Sequence, residues 1–477
     1  MSNETTLNPK ANIAYILKIC CVAALGGILF GYDTAVISGA IGPIQEYFGL
    51  DATEKGWAVS SVVLGSIVGA FSAGTCSLRF GRRRTLLLAA VLFAISAIGS
   101  ALAQDFTFYT LLRIVGGLAV GLAAVVSPMY ISEVAPSAFR GRAVSMFQQS
   151  IVVGQCVVFY INFLIARGMT EAWLQDMGWR WMLGSETIPA LLFFVLLFTI
   201  PESPRWLVLK DQVDKARDVL TRISGKADAE EIIVEIQKSL VASNSKSDKK
   251  VSLRSPLMFS IVAVGTFVAA AQQFTGINVI MYYSPEILKP IAGGTENALF
   301  QTTFIGLVFI FGNALGMYLI DRMGRLPLMI WGTLGCAISM TIVGFVMYNQ
   351  ATGYTALFAL CLYVISYATS WGCVCWTLIS EIFPNAIRSR AMSIAVAAQW
   401  IAGFMVAQGF PMLNNNEYLN EMFHGGFAFW LFAGLSIISM LLVVKYVPET
   451  KGVKLEEMEK VMATKLGKHK ALAQAKA

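Results

Sequence analysis

The feature that most constrains the fold of this chain is a series of long segments that contain no charged residue. Leu86–Ala103, Leu326–Tyr348 and Phe427–Val444 are clear examples. A helix of about 20 apolar residues is long enough to cross a bilayer. Only 14% of the 477 residues are charged, whereas soluble domains carry about 25%. The sequence therefore predicts an all-α polytopic membrane protein.

Twelve membrane-spanning helices can be placed along the chain, and a polar stretch follows the sixth. The predicted spans are Ile13–Ile41, Trp57–Leu78, Thr85–Ala103, Thr107–Glu133, Ala143–Ala166, Trp179–Ile200, Leu257–Leu288, Ala298–Ile320, Leu326–Tyr348, Tyr354–Phe383, Ala391–Met412 and Gly425–Val447. They define an N-terminal six-helix half (1–200), a cytoplasmic helical linker (201–255), a C-terminal six-helix half (256–447) and a cytoplasmic tail (448–477). Within the linker, Ser243–Lys250 is rich in serine and lysine and is predicted to be mobile.

The basic residues are distributed unevenly between the two sides of this layout. In this layout, 31 of the 36 lysines and arginines face the same side as the two termini. Such an excess marks the cytoplasmic side, so both termini are predicted to be cytoplasmic. The net charge of +7 is thereby explained by membrane topology, and no nucleic-acid partner is predicted.

Three charged motifs of the first half recur in the second half, each displaced by about 245 residues, which indicates an internal duplication. The pairs are Gly81-Arg82 with Gly324-Arg325, Glu133–Pro136 with Glu381–Pro384, and Pro201–Pro204 with Pro448–Lys451. Two parallel six-span repeats, with a substrate site between them near the midplane, are a known design of secondary transporters.

The repeated motifs fall at the cytoplasmic ends of helices, where guanidinium and carboxylate groups can form bidentate pairs across a helix junction. We predict that they form an inner latch, which holds the cytoplasmic side shut in the outward-open state. Its residues are Arg82, Arg83, Glu133 and Arg140 in the first half, and Arg325, Glu381 and Arg388 in the second. The alternative is that these charges only set the topology.

One carboxylate, Asp33, lies inside the first predicted span. A carboxylate at membrane depth costs at least ~2.5–3.5 kcal/mol and is a functional hypothesis by default. The other ionisable residues expected in the core of the first half are Arg113 and Glu186. We predict that these three residues couple transport to protons, with protonation of Asp33 releasing Arg113 towards Glu186. The alternative is that Asp33 and Arg113 form a static structural pair.

Amide side chains interrupt several spans, accompanied by aromatic residues. Gln148 and Gln155 are seven residues apart and share one helical face. Amides offer both donors and acceptors, and neither a basic cluster nor a ring of carboxylates accompanies them. These observations favour a small, neutral, polyhydroxylated ligand. The other predicted contacts are Gln272, Gln273, Asn278, Tyr282, Tyr283, Trp376, Gln399 and Trp400. The alternative is that the amides only join helices together.

Several classes of protein are disfavoured by what the sequence lacks. It contains no Ser/His/Asp set, no metal-ligand cluster and no phosphate-binding loop, so neither an enzyme nor an ATP-driven pump is predicted. The eight cysteines lie mostly within spans and fit buried small hydrophobes better than a disulfide framework. No metal or cofactor is predicted beyond a co-transported proton.

The chain resembles the sugar porters of the major facilitator superfamily, and bacterial D-xylose–proton symporters in particular. The resemblance extends over nearly the whole sequence. The motifs that carry it are Gly31–Asp33, Arg79–Arg83, Glu133–Pro136 with Arg140-Gly141, Pro201–Arg205, Gln272–Asn278, Asp321–Arg325, Ser380–Pro384 and Pro448–Gly452.

The resemblance implies proton-coupled uptake of a monosaccharide by alternating access, with D-xylose as the first expectation and glucose or galactose next. It implies that Asp33 carries the proton, that Arg113 is its partner, and that Phe30 helps to close the sugar site. Phe309 replaces the asparagine that usually contacts sugar in span eight, which leaves the choice of monosaccharide open. The expected setting is a bacterial inner membrane, and the expected functional unit is a monomer.

Two alternatives remain for the function. The first is a passive sugar facilitator of the same fold, since passive relatives tend to have a neutral residue at the position of Asp33. The second is a sugar sensor that binds without transporting. A sensor would be expected to carry a long signalling tail, and only about 30 residues follow Pro448.

Overall fold

The computed structural model describes residues 12–245, 255–351, 353–384, 387–453 and 457–467, and these residues form helices and connecting turns without a β-strand. Twelve helical segments among them are long and apolar enough to cross a membrane. The prediction of twelve spans in an all-α chain is therefore confirmed.

The first five spans are each a single helix. Their bounds are α1 Ile13–Phe48, α2 Ala52–Phe80, α3 Arg82–Leu102, α4 Phe106–Val134 and α5 Ser137–Ala166. Helix α1 continues past its predicted end at Ile41, through Pro43, to Phe48. The start of α4 is fixed by Asp105, whose side chain accepts a hydrogen bond of 2.8 Å from the N–H of Phe108.

The sixth span is broken into shorter pieces. They are α6 Glu171–Trp173, a π-helical turn Leu174–Gly178, α7 Trp179–Gly184 and α8 Thr187–Leu197. Ser185 and Glu186 occupy the break between α7 and α8. The break therefore places a carboxylate at a point where the regular helix is interrupted.

Three helices follow the sixth span in the predicted linker. They are α9 Pro204–Leu209, α10 Val213–Ser224 and α11 Lys226–Ser245. A small core of Trp206, Leu207, Val208 and Ala216 joins α9 to α10. The mobile segment predicted at Ser243–Lys250 lies, from residue 246 onward, outside the described residues.

The C-terminal spans contain two further breaks. The helices are α12 Pro256–Phe274, α13 Ile277–Ala292, α14 Thr295–Met323, α15 Arg325–Tyr348, α16 Thr355–Tyr367, α17 Cys373–Ile382, α18 Arg388–Asn414, α19 Glu417–Phe423, α20 Phe427–Tyr446 and α21 Met458–Lys465. Span seven comprises α12 and α13, and span ten comprises α16, a π-helical turn and α17. Helix α21 packs against α17, and residues 454–456 and 468–477 of the predicted tail lie outside the described residues.

The described residues divide into two compact units. The first contains 12–34, 64–155 and 180–245, and in it α3 packs against α4 and α8. The second contains 35–63, 156–179 and the described residues from 255 onward, and in it α12 packs against α18, and α15 against α16 and α20. Because α1, α2 and α5 each contribute to both units, these units do not coincide with the predicted halves, and the boundaries near 200 and 256 remain a prediction.

Candidate functional site

Glycines on α1 bring its backbone into direct contact with α5. A Cβ atom on Gly31 would lie 1.9 Å from the carbonyl oxygen of Ile151, and one on Gly154 would lie 2.1 Å from that of Ile28. Gly27 is equally confined, since its Cβ would lie 2.1 Å from Ser150 Oγ. No larger side chain fits at these points. The contact fixes the part of α1 that carries Asp33.

Asp33 and Arg113 form a fully buried ion pair in the first unit. Arg113 Nη1 donates to Asp33 Oδ1 at 2.7 Å, and Nη2 donates to the backbone carbonyl of Asp33 at 3.0 Å. The side chains are 0% and 1% exposed. A Cβ atom on Gly116 would lie 3.2 Å from Asp33 Oδ1, so this glycine leaves space for the carboxylate.

Glu186 is the third ionisable group at this position. It is buried and lies close enough to Asp33 and Arg113 for all three groups to interact electrostatically. Asp33 Oδ2, Glu186 Oε1 and Arg113 Nε are buried without a hydrogen-bond partner. The structure thus brings together the three residues predicted to handle protons, which we call the acid–guanidinium triad, and leaves hydrogen-bonding capacity free in each of them.

Two neighbours of the triad were not singled out from the sequence. The hydroxyl groups of Tyr32 and Ser185 are 2.6 Å apart. Tyr32 precedes Asp33 in α1, and Ser185 precedes Glu186 in the break of span six, so their contact ties the two carboxylate-bearing segments together. The motif Gly31-Tyr32-Asp33 was a signal that could have identified Tyr32.

Four of the predicted amides form a continuous hydrogen-bonded group in the second unit, which we call the amide cluster. Gln399 Nε2 donates to Gln272 Oε1 at 2.6 Å, and Gln272 Nε2 donates to the carbonyl of Trp371 at 2.8 Å. Asn278 Nδ2 donates to Gln273 Oε1 at 2.7 Å, and Gln273 Nε2 donates to Gln272 Oε1 at 3.5 Å. The cluster therefore joins α12, α13 and α18 to the π-helical turn of span ten.

The break in span seven places Asn278 in this cluster. Helix α12 ends at Phe274, and Gly276 adopts a left-handed conformation with φ of 95° before α13 begins. Glycine adopts this conformation without steric cost. A Cβ atom on Gly276 would also lie 3.0 Å from the ring of Phe432, so both the backbone angle and the packing require glycine here.

The predicted aromatic residues lie in different environments. Tyr282 and Tyr283 are buried, and Tyr283 donates its hydroxyl to the carbonyl of Ala407 at 3.0 Å. Trp376 and Trp400 are half-buried. Trp371 is fully buried and donates from Nε1 to Thr333 Oγ1 at 2.9 Å, an anchoring role that sequence reasoning missed.

The remaining predicted sugar contacts belong to the first unit. Phe30, Gln148 and Gln155 are half-buried on α1 and α5. Gln155 Oε1 is buried without a hydrogen-bond partner, which leaves it able to accept one. Phe309 is buried in the second unit, with its ring 6.3 Å from that of Tyr367, so an aromatic contact occupies the position where an asparagine was expected.

The repeated charged motif of the first half forms a compact junction. Arg82 Nε and Nη2 each donate to Glu133 at 2.9 Å, which is a bidentate pair. Ser203 Oγ lies 2.5 Å from the same carboxylate. Glu202 accepts from the backbone N–H groups of Arg82 at 2.9 Å and Arg83 at 3.1 Å. The start of α3 is therefore held by a carboxylate from a distant part of the chain.

The second half repeats this junction with different residues. Arg325 donates to Glu381 from Nε at 3.1 Å and from Nη2 at 2.7 Å. Thr450 Oγ1 lies 2.5 Å from Glu381, and Glu449 accepts from the backbone N–H groups of Arg325 at 3.0 Å and Leu326 at 2.8 Å. Glu202 and Glu449 were not among the predicted latch residues, although the repeated Pro-Glu motifs pointed to them.

The environment of Glu449 lowers the pKa of its carboxyl group. Burial raises this pKa, but hydrogen bonds from the backbone N–H groups of Lys451, Arg325, Leu326 and Thr450 stabilise the ionised form more strongly. The carboxylate is therefore ionised while it holds the start of α15.

Three predicted latch residues lie outside these two pairs. Arg83 Nε donates to the carbonyl of Leu197 at 2.9 Å, and Arg388 Nε donates to that of Phe383 at 3.2 Å. Arg140 is exposed. Among the residues described, the structure therefore brings Arg82 to Glu133 and Arg325 to Glu381, but it places none of these three arginines in a carboxylate pair.

Within the described ranges, no group of three or more His, Cys, Asp or Glu side chains could hold a metal ion. The candidate functional groups are one buried acid–guanidinium triad in the first unit and one uncharged amide cluster in the second, in a chain with twelve candidate spans. Such a combination is typical of a secondary transporter.

Comparison with known proteins agrees with this class. The family described as "Sugar (and other) transporter" matches residues 19–462, and the chain belongs to this family. It is 43% identical to the D-xylose-proton symporter of Escherichia coli strain K12, with 95% of this chain and 97% of that protein covered. It is 34% identical to the glucose facilitated diffusion protein of Zymomonas mobilis, with 95% and 99% covered.

A solved structure shows the same fold. It is the inward open conformation of the xylose transporter from E. coli, which matches with a TM-score of 0.83 and 41% identity and covers 94% of this chain and 100% of that one. The resemblance to major facilitator sugar porters is therefore confirmed, and the chain is a multi-pass membrane transporter.

Proposed function

We propose that this protein is a secondary active transporter that carries a monosaccharide into the cell together with a proton, and that D-xylose is its first candidate substrate. The observation that carries the proposal is the acid–guanidinium triad of Asp33, Arg113 and Glu186. The chain belongs to a family of transporters. The three side chains are buried within its membrane-spanning segments, and each has a polar atom without a hydrogen-bond partner.

The charge of the triad explains why it would hold a proton. Two ionised carboxylates and one guanidinium carry a net charge of −1, and a buried charge without a partner is costly. One proton shared between Asp33 and Glu186 neutralises the group. When that proton leaves, Arg113 is the cation that both carboxylates compete for. The triad therefore has two arrangements that differ by one proton, which is what coupling requires.

The amide cluster supports an uncharged ligand. Gln272, Gln273, Asn278 and Gln399 offer several donors and acceptors and carry no charge, as recognition of sugar hydroxyl groups requires. Exchanging hydrogen bonds within the cluster for bonds to a ligand would leave few polar groups unsatisfied. The similarity to a D-xylose–proton symporter over 95% of the chain favours a pentose as the ligand.

The remaining expectations belong to the same proposal. Gln148, Gln155 and Phe30 are proposed sugar contacts from the N-terminal half, and the two bidentate pairs Arg82–Glu133 and Arg325–Glu381 are proposed latch elements. The protein acts as a monomer without a cofactor, in a bacterial inner membrane, with both termini in the cytoplasm.

A passive facilitator is the second candidate, because a facilitated diffusion protein is 34% identical over nearly the whole chain. The two candidates differ in whether sugar accumulates. Asp33 and its buried partners favour accumulation, since a facilitator has no need to tolerate the cost of buried charges.

The experiment is uptake into proteoliposomes that contain the purified full-length chain. Labelled D-xylose, D-glucose, D-galactose and L-arabinose are each supplied with and without a pH gradient that is acidic outside. We expect one or more of them, with D-xylose foremost, to accumulate only when the gradient is present. Uptake that merely equilibrates under both conditions would support the facilitator, and absence of uptake of every sugar would refute both candidates.

A further inference from the structure

The ends of the spans opposite to the termini, which we call the outer ends, contain an ion pair that no part of the proposed proton or sugar chemistry uses. Lys55 Nζ lies 2.5 Å from Glu286 Oε2, and the two side chains are 9% and 25% exposed. Lys55 lies in the first turn of α2, and Glu286 lies in α13 next to Pro285. The pair therefore links a span of the N-terminal half to a span of the C-terminal half.

Gln408 of α18 adds a second link at the same level. Ser60 Oγ donates to Gln408 Oε1 at 2.8 Å, and Gln408 Nε2 donates to the carbonyl of Thr53 at 2.8 Å. A Cβ atom on Gly56 would lie 2.5 Å from the backbone oxygen of Gln408. Helices α2 and α18 are thus in backbone contact here, and one amide side chain connects α18 to two positions on α2.

The segment that carries Glu286 is separated from the rest of span seven by a helix break. The break at Gly276 disconnects α13 from α12, because the intrahelical hydrogen-bond ladder is interrupted there. A cavity of about 500 Å³ lies beside Glu286 and is also lined by Pro290, Val346 and Phe410.

We propose that Lys55, Glu286 and Gln408 form an outer lock, which holds the outer ends of α2, α13 and α18 together and must separate each time the transporter opens to the outside. The inference rests on the proposed transport cycle, in which the outer ends must part to admit sugar. A nearly buried lysine requires a counter-charge. When the outer ends part, water hydrates Lys55 and Glu286 separately, so their contact stabilises only the closed arrangement.

Other outer contacts serve as a comparison. Lys289 Nζ lies 3.4 Å from Glu171 Oε2, with the side chains 45% and 53% exposed. Exposed pairs of this kind contribute little, because water already solvates both charges. The outer lock is distinguished by burial of the cation and by the close approach of α2 and α18. The exposed pair Lys289–Glu171 therefore does not qualify as a lock, although its charges also lie at the outer ends.

The test measures the distance between spin labels on the outer side of the full-length chain in lipid nanodiscs. The labels are attached through M169C and Y418C, at two exposed positions, after the native cysteines have been replaced by alanine. We expect Lys55→Gln to raise the ratio of long to short distances about tenfold. Lys289→Gln is the matched control and is expected to leave the distribution unchanged.

A charge exchange separates locking from general damage to the structure. Lys55→Glu with Glu286→Lys re-forms the pair with opposite polarity and is expected to restore the short distance, whereas either substitution alone lengthens it. The inference is overturned if Lys55→Gln leaves the distances unchanged in a folded protein, or if the exchange does not restore them. Because the distances are measured without sugar or a pH gradient, they can support the lock even if sugar uptake fails.

Discussion

The two halves of the chain are alike in their charged junctions and different in the polar groups within their spans. Each half has a bidentate arginine–glutamate pair, a hydroxyl group on the glutamate, and a second glutamate that accepts backbone N–H groups. In the core, the first half has the charged triad of Asp33, Arg113 and Glu186, whereas the amide cluster of the second half is uncharged.

This difference suits a duplicated chain whose two halves share the conformational change but bind different ligands. Under the proposed function, contacts that both halves need during a conformational change retain the same chemistry in both copies. Positions within the spans are free to diverge, so that the first half holds the proton site and some sugar contacts, while the second half supplies the amide cluster. The following predictions test that division, beginning with the largest effect.

Asp33→Asn should abolish accumulation while leaving sugar binding nearly unchanged. With one proton per sugar, a pH difference of one unit supports about tenfold accumulation, because one pH unit is worth 1.36 kcal/mol. The variant should reach an internal to external ratio near one and should still exchange labelled for unlabelled sugar. Asp176→Asn, at an exposed outer position, should accumulate normally. If the Asp33 variant still accumulated sugar, the triad would not be the group that couples proton to sugar.

Gln272→Ala should have the opposite pattern. Loss of a hydrogen bond that leaves a buried polar partner unsatisfied costs about 1–3 kcal/mol, so KM should rise roughly 10- to 100-fold. The accumulation ratio at saturating sugar should remain that of the unmodified protein. Gln301→Ala alters a buried glutamine of α14 outside the amide cluster and should leave KM unchanged. If Gln272→Ala uncouples proton from sugar instead, the cores are not specialised as proposed.

The two arginine–glutamate junctions should differ in their contribution to stability because they differ in burial. Arg82 and Glu133 are 6% and 9% exposed, whereas Arg325 and Glu381 are 14% and 22% exposed. Arg82→Ala should therefore destabilise the protein by about 3–5 kcal/mol, and Arg325→Ala by less, because water can partly solvate the glutamate that remains. Melting temperatures measured in detergent show which variant is less stable, and Arg140→Ala, at an exposed position, serves as the control. Equal shifts would show that burial does not distinguish the junctions.

The smallest effect should be a pH dependence associated with Glu449. Its folded-state pKa is lowered, chiefly by backbone N–H groups acting against burial. Its contribution to stability is therefore present above the unfolded pKa of about 4.3 and is lost as the pH falls through the lower folded value. Glu449→Gln should reduce the melting temperature near neutral pH and flatten its decline in acid. The exposed Glu231→Gln should follow the unmodified curve. If the melting temperature of Glu449→Gln declined in acid as steeply as that of the unmodified protein, Glu449 would not be the source of this pH dependence.

The sequence predicted the features that depend on hydrophobic length and on rare residue types. Twelve spans were visible because each contains enough apolar residues to cross a bilayer. Asp33 and Arg113 stood out because charged residues are costly within such segments. The amides around Gln272 were conspicuous for the same reason.

The features that could not be predicted depend on long-range geometry. Glu202 accepts from a backbone group 120 residues earlier in the chain, and no periodic pattern connects the two positions. Trp371 could not be distinguished from a lipid-facing aromatic residue. Lys55 and Glu286 each resembled an ordinary loop-end charge, because their pairing requires two separate helices to meet.

Under the proposed function, the acid–guanidinium triad also determines which forces can drive transport. A neutral sugar that enters with one proton carries one net positive charge across the bilayer, so transport is electrogenic. A membrane potential of 100 mV is worth about 2.3 kcal/mol per charge. Since 1.36 kcal/mol corresponds to a factor of ten, that potential alone could sustain an accumulation of about 50-fold. A single buried proton site, as proposed, would therefore let the membrane potential drive sugar accumulation when the pH on both sides is the same.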